Sequence, residues 1–179
     1  MAEPVTPRGP FDGHALPFAA GACRLEDATP ARAIMVMPFR GCAGRAAAAL
    51  GTPLPGPGRS AAAGAGRILW TGRAAWLLLG SAAPDGLARH AAVVDVSGGL
   101  AGLGISGDTA RAVLERLCPL DLDPAAFPDG ATARSVVAHL SGQISRCGAG
   151  YEILVARPLA TALLEELRIA MRSLAARPG

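Results

Sequence analysis

The chain has 179 residues, 51% hydrophobic and 17% charged, so it is not a disordered polymer and is long enough for one sizeable core or two small ones. All 17 basic residues are arginine. Without lysine the chain can neither form a Schiff base nor build a P-loop, whose ammonium reaches the terminal phosphates. The net charge of +3 is spread along the chain, and the few aromatics do not interleave with basic residues. That pattern argues against a nucleic-acid surface. The 23 glycines and 39 alanines, with no lysine, match the coding bias of a GC-rich genome.

No apolar stretch reaches the ~18–20 residues that cross a bilayer, because Arg45, Arg67, Arg73 and Arg89 interrupt each one. Glu3, Pro4, Pro7 and Pro10 stand where an export signal needs an apolar run. The expectation is a soluble, cytoplasmic protein with reduced thiols. Cys23, Cys42, Cys118 and Cys147 contain no C-x-x-C pair, and His14, His90 and His139 are scattered. Small buried hydrophobes, with no metal, is the expected role of the cysteines.

Residues 1–30, rich in Pro, Gly and small side chains, read as a flexible tail, and residues 31–176 as a single domain. Ala33–Met37 has strand propensity. A short helix over Arg45–Leu50 ends at Gly51, and the Pro- and Gly-punctuated stretch from Thr52 to Gly58 is loop. Arg67–Trp70 and Trp76–Leu79 read as two strands turning at Gly72. Val93–Val96 and Leu103–Ile105 read as a second pair turning at Gly98-Gly99. Ala110, Val113, Leu114 and Leu117 predict a helix over 108–117, with Ser106 or Asp108 as cap and Pro119 as stop. A loop over Asp121–Gly130 precedes three strands at 132–139, 142–147 and 151–156. The last helix starts at Pro158 and buries Leu159, Leu163, Leu167 and Met171. Paired strands punctuated by single helices give an α+β class, with mostly antiparallel or mixed sheets and a few packed helices.

Candidate chemistry is sparse. Gly102-Leu-Gly104-Ile-Ser-Gly107 matches G-x-G-x-x-G, the dinucleotide fingerprint. Its context is wrong, since Leu103 and Ile105 alternate like a strand inside it and a proline loop follows the helix. Asp121, Asp123 and Asp129 cluster on that loop, where turn chemistry outweighs metal or acid–base work. Ser106 and Ser141 lack a nucleophile frame. Cys118 lies at a helix end, not at the helix N-terminus that activates a thiol. Spacing assigns no catalytic, cofactor-binding or metal residue.

Three segments nevertheless carry a resemblance. Leu69-Trp70-Thr-Gly72-Arg-Ala-Ala-Trp76-Leu77 is one. Val93-Val-Asp95-Val-Ser97, with Leu103-Gly-Ile-Ser-Gly107, Cys118-Pro-Leu-Asp-Leu122 and Phe127-Pro, is the second. Tyr151-Glu-Ile-Leu-Val155-Ala-Arg157 before the last helix is the third. Over roughly 30–175 the chain resembles the gamma subunit of heterotetrameric sarcosine oxidase. Arg73-Ala74-Ala75 replaces that family's Pro-Asp-Glu, and Gly98-Gly99 replaces a more polar turn.

The resemblance implies a bacterial complex with alpha, beta and delta partners, chiefly the large alpha subunit. That complex oxidises sarcosine to glycine, with the one-carbon unit passed to tetrahydrofolate or released as formaldehyde and hydrogen peroxide formed. FAD, FMN, NAD, zinc and tetrahydrofolate belong on the partner subunits. The resemblance also implies a fold like the folate-binding domain of aminomethyltransferase, with no catalytic residue to transfer. An alanine-rich core, poor in large side chains, fits a subunit stabilised by a partner surface. The alternative is a stand-alone folate-binding or aminomethyltransferase-like protein. That reading needs an acid facing a pterin pocket, with Asp95, Asp121 and Asp123 as the candidates.

Overall fold

The structure, a computed structural model, describes residues 8–176. Eleven strands form two antiparallel sheets, in accord with the expected α+β class. The first sheet has six strands in the order β1-β2-β8-β11-β10-β9. They are β1 (Phe18–Ala20), β2 (Cys23–Asp27), β8 (Leu100–Ser106), β9 (Thr132–Val137), β10 (Leu140–Cys147) and β11 (Gly150–Ala156). The second has five, in the order β4-β5-β6-β3-β7. These are β3 (Ala33–Pro38), β4 (Ser60–Ala63), β5 (Gly66–Gly72), β6 (Ala75–Leu79) and β7 (Ala91–Asp95). Three helices, α1 (Ala43–Leu50), α2 (Ala110–Leu114) and α3 (Ala160–Ala175), cover the sheets.

Strand alternation divides the apolar residues into three cores. On the six-stranded sheet, Leu25, Leu103, Ile105, Ile144, Tyr151, Ile153 and Val155 point to one face. There they meet Val113 and Leu114 of α2 and Leu163, Leu164, Leu167 and Met171 of α3. Ile34, Val36, Ile68 and Leu78 of the five-stranded sheet pack under Ala46 and Leu50 of α1. The opposite faces of both sheets turn toward each other over a thin third core of Ala33, Leu69, Leu77, Leu79 and Leu154.

The expected tail is structured from Phe11 onward. Phe11 is buried, and β2 alternates buried Cys23 and Leu25 with exposed Arg24 and Glu26. Leu25 pairs with Ile105, so β2 is an integral neighbour of β8. The guanidinium groups of Arg168 and Arg172 on α3 each stand 5.2 Å from the Phe18 ring centre, and Arg168 donates to the Ala15 carbonyl at 2.7 Å. The first seven residues of the expected tail lie outside the described residues.

Two further expectations are corrected. Val93–Val96 and Leu103–Ile105 do not form a hairpin, because β7 joins the five-stranded sheet and β8 the six-stranded one. Val93 packs with the core under α1, whereas Leu103 and Ile105 belong under α2 and α3. Gly98-Gly99 lies in a 3-10 turn, Ser97–Gly99, that carries the chain between sheets. The helix over 108–117 is shorter, Ala110–Leu114, and neither Ser106 nor Asp108 caps it. Past Leu114 it tightens into three-residue turns, with Leu117 N–H on the Leu114 carbonyl at 2.9 Å, before Pro119.

Candidate functional site

A cleft of about 520 Å³ runs between the two sheets, within the ~300–1,000 Å³ of ordinary ligand pockets. Met35, Thr71 and Leu77 line it from the five-stranded sheet. Arg134, Ser141, Gln143 and Leu154 line it from the six-stranded sheet, and Gly99 and Leu100 of the crossover close one end. The lining is mainly apolar because these are the small and aliphatic positions of each strand's alternation, too few to fill the space between the sheets.

Polar groups at the cleft hold the sheets together. Buried Gln143 donates through Nε2 to the Trp70 carbonyl (3.1 Å) on the opposite sheet and to the Thr132 hydroxyl (2.6 Å). Thr132 Oγ1 lies 2.8 Å from Ser145 Oγ, so this small network is satisfied internally. Ser60 N–H reaches the Gly130 carbonyl at 2.9 Å, and Thr132 N–H the Gly58 carbonyl at 3.0 Å, which joins the sheets along β4 and β9. Arg134 is the one charged side chain on the cleft wall, and it makes no ion pair among the described residues.

A second contact clasps the sheets at the far end. Arg67 on β5 pairs with Glu152 on β11, and its Nη1 lies 2.6 Å from the Cys147 sulfur. Loss of hydration pushes the Glu152 carboxyl above its usual range, and the Arg67 charge only partly offsets this. Burial likewise pushes the Cys23 and Cys118 thiols up, in keeping with their expected structural role. The sign for Glu152 follows. A carboxyl raised by folding favours the native state most when protonated, so its contribution is complete at acid pH and is lost as pH rises through the folded value. Wild-type stability should therefore gain on that of Glu152→Gln as pH falls from 7 to 5. Urea midpoints of both proteins at the two pH values check this, and a constant difference would refute it.

None of the candidate acids faces the cleft. Asp95, at the end of β7, accepts from the Ser97 hydroxyl at 2.6 Å and the Ser97 amide at 2.9 Å, and those bonds hold its carboxyl below the usual range. Asp121 accepts from the Asp123 amide at 2.9 Å. Asp123 accepts from the Ala125 amide and from Arg111, each at 3.0 Å, and its carboxyl is lowered chiefly by the amide. Asp129 caps the β10–β11 turn through the Gly148 amide at 2.7 Å. These are loop-stabilising bonds, as the spacing suggested.

Gly102, Gly104 and Ser106 lie within β8, which is paired on both sides, and α2 begins only at Ala110, past the whole motif. A Cβ on Gly102 would sit 2.5 Å from the Ala28 carbonyl oxygen. The dinucleotide reading gives way to a packing one. Sequence reasoning did not find Arg134, Gln143, Arg67 or Glu152. Only the alternation of β9, β10 and β11 hinted that polar residues occupy the inner face.

Comparison with known proteins accords with this geometry. A solved heterotetrameric sarcosine oxidase from Corynebacterium sp. U-96, in complex with pyrrole 2-carboxylate, matches with a TM-score of 0.77 at 24% identity over 90% of both chains. Aminomethyltransferase T of the glycine cleavage system from Bartonella henselae matches with a TM-score of 0.58 at 20% identity, over 86% of this chain and 50% of that one. Both show the fold expected from the resemblance. The sarcosine oxidase subunit gamma of Arthrobacter sp. is 33% identical over 144 residues, 72% of this chain and 70% of that protein. The model of the sarcosine oxidase, gamma subunit family matches residues 41–171. The chain therefore belongs to the sarcosine oxidase gamma subunit family.

Proposed function

We propose that this chain is a non-catalytic subunit that assembles and stabilises a four-subunit sarcosine oxidase. Its partners are alpha, beta and delta subunits, chiefly the large alpha subunit. The complex oxidatively demethylates sarcosine to glycine in the cytoplasm and hands the one-carbon unit to tetrahydrofolate. FAD, FMN, NAD, zinc and tetrahydrofolate sit on the partners.

The observation that carries this reading is the composition of the cleft. Its one charged lining group is the Arg134 guanidinium, which carries donors and no acceptor and so offers no general base. The candidate acids Asp95, Asp121, Asp123 and Asp129 are engaged in turns elsewhere, and Glu152 is held in its ion pair with Arg67, outside the cleft lining. No three His, Cys, Asp or Glu side chains group as metal ligands among the described residues. The likeness of fold to an aminomethyltransferase, with a cleft of ligand size, favours a second reading of stand-alone folate binding. That reading lacks its acid, since Asp95, Asp121 and Asp123 all point elsewhere.

The test is affinity capture of the tagged chain from its native host, with partners identified by mass and an absorbance spectrum. A yellow complex of a large flavoprotein, a second flavin subunit and a small zinc-binding chain is expected. A colourless, solitary chain that binds tetrahydrofolate in titration would support the second reading instead.

A further inference from the structure

The inference rests on the assembly reading and names the surface through which assembly occurs. Its starting point is β7, an edge strand of the five-stranded sheet. Val96 N–H bonds the Ala33 carbonyl and Phe39 N–H bonds the His90 carbonyl, each at 2.9 Å. In an antiparallel ladder, bonded and non-bonded pairs alternate. The registers Met35↔Val94 and Met37↔Ala92 are therefore the bonded ones. The N–H and C=O groups of Ala91, Val93 and Asp95 then point away from β3; Ala91 is only 1% exposed, so the open part of the edge is Val93 and Asp95, which have no backbone partner among the described residues.

Open edges of this kind are usually blunted by charged side chains, prolines, bulges or a covering segment. In β7, Ala-Ala-Val-Val-Asp, the Ala91 end is covered and the one charge is Asp95, the last residue; no proline or bulge interrupts the stretch between them.

The face beside that edge is apolar and bare. Met35 and Leu77 line the cleft, and by strand alternation Met37 and Val94 share their face. Met37 is 37% exposed, Val94 46%, and Phe39, just past the strand, 49%. Across the cleft Val136 is 43% exposed and pairs in register with Ser141 on the wall. Unpaired edge, exposed aliphatic residues and cleft thus form one continuous surface. Arginines surround it. Arg134 stands on the opposite wall, and Arg40, Arg73 and Arg89 stand at the Phe39 end, where β3 meets β6 and β7. All four are exposed, and none is in an ion pair among the described residues.

We infer that β7 is extended by a strand from a partner subunit. The occupant is an extended apolar segment with flanking carboxylates. Its backbone completes the ladder on Val93 and Asp95, its alternate side chains enter the cleft over Met35 and Val94, and its acids meet Arg134 and the Arg40–Arg89 cluster. This is strand addition, in which main-chain bonds give affinity and side-chain pockets give specificity. The charge pattern selects a heterologous partner, because the surface offers four arginines, unpaired among the described residues, against one carboxylate, Asp95, which is already engaged by Ser97.

Two measurements test this in the captured complex. The first is residue-resolved hydrogen exchange of β7. The amides of Val93 and Asp95 should exchange quickly in the free chain and slowly once the flavoprotein partner is bound, whereas those of Ala92 and Val94 are protected in both. The second is Val94→Arg, a substitution at an exposed site that should leave thermal unfolding unchanged. It should cut recovery of the identified flavoprotein at least about tenfold, the scale of an interface hot spot. Ile169→Arg, on the exposed face of α3, should leave recovery unchanged.

A flavoprotein complex that forms with the two outer amides still exchanging freely would overturn strand addition and leave the assembly reading standing. A free chain that elutes as a dimer with those amides protected would make a second copy the occupant and overturn the partner. A solitary chain in its native host would remove both readings.

Discussion

Gly107→Ala should cost at least about 3 kcal/mol, from backbone strain plus a forced main-chain shift, out of the ~5–15 kcal/mol that stabilises a domain. Gly107 has φ of +102°, a conformation that side chains rarely adopt. An added Cβ would stand 2.2 Å from the Ala22 carbonyl oxygen and 3.1 Å from its carbon. Both are backbone atoms at the start of β2, so relief requires β2 to move away from β8. Gly104→Ala provides the contrast. There the nearest atom is Glu26 Cγ at 3.3 Å, the middle of a flexible exposed side chain, and the cost should stay below about 1 kcal/mol. Urea denaturation of the two variants reads the difference directly. A phosphate-cradling loop would behave in the opposite way, with stability kept and nucleotide affinity lost. Equal midpoints for wild type and Gly107→Ala would refute the packing role.

The second large effect lies on α3. Leu167 is fully buried between the helix and the six-stranded sheet, while Ile169, two residues on, is 59% exposed. Leu167→Ala should cost about 2–5 kcal/mol, through lost transfer energy and the cavity left behind. Ile169→Ala should change stability by no more than about 0.5 kcal/mol. The pair shares a helix and a similar volume change, and the few tenths of a kcal/mol by which Leu and Ile differ in helix propensity is small beside the expected gap. A thermal melt with equal shifts for both variants would mean that α3 does not pack as described.

Elements with long apolar alternation or helical stripes were legible in the sequence. Met35 and Val36, Leu77 and Leu78, and the leucines of α3 declare both their structure and their burial. The β1–β2 hairpin was not legible. Pro10, Gly13, Pro17 and Gly21 dominate the composition there, and the two-residue period of Cys23 and Leu25 spans too few positions to compete. β4 was missed because Ser-Ala-Ala-Ala has no strand propensity of its own, and its pairing with β5 supplies what composition lacks. The Gly98-Gly99 turn was legible as a turn but not as a crossing, because glycine marks a reversal without saying which sheet comes next.

The cleft was the least legible feature. Arg67 and Glu152 are 85 positions apart, and Gln143 meets Trp70 from 73 away. No local pattern registers such pairs. The family, by contrast, was readable from short local segments such as Cys118-Pro-Leu-Asp-Leu122, which need no distant partner to be recognised.

The separation of the strands into two sheets also sets an order of events in synthesis. The five-stranded sheet uses one unbroken block of chain, from Ala33 to Asp95. It can close as soon as that block leaves the ribosome. The six-stranded sheet has no such independence. Its strand β8 lies between β2, near the beginning of the chain, and β11, near the end. Until residue 156 emerges, β8 has a neighbour on one side only, and α3, which covers its apolar face, has not yet been made. Contacts this distant in sequence form slowly, and unfinished edges attract other chains. The nascent protein therefore carries half of its fold complete while the other half waits for β9, β10, β11 and α3, an interval in which a waiting partner subunit or a chaperone has the most to cover.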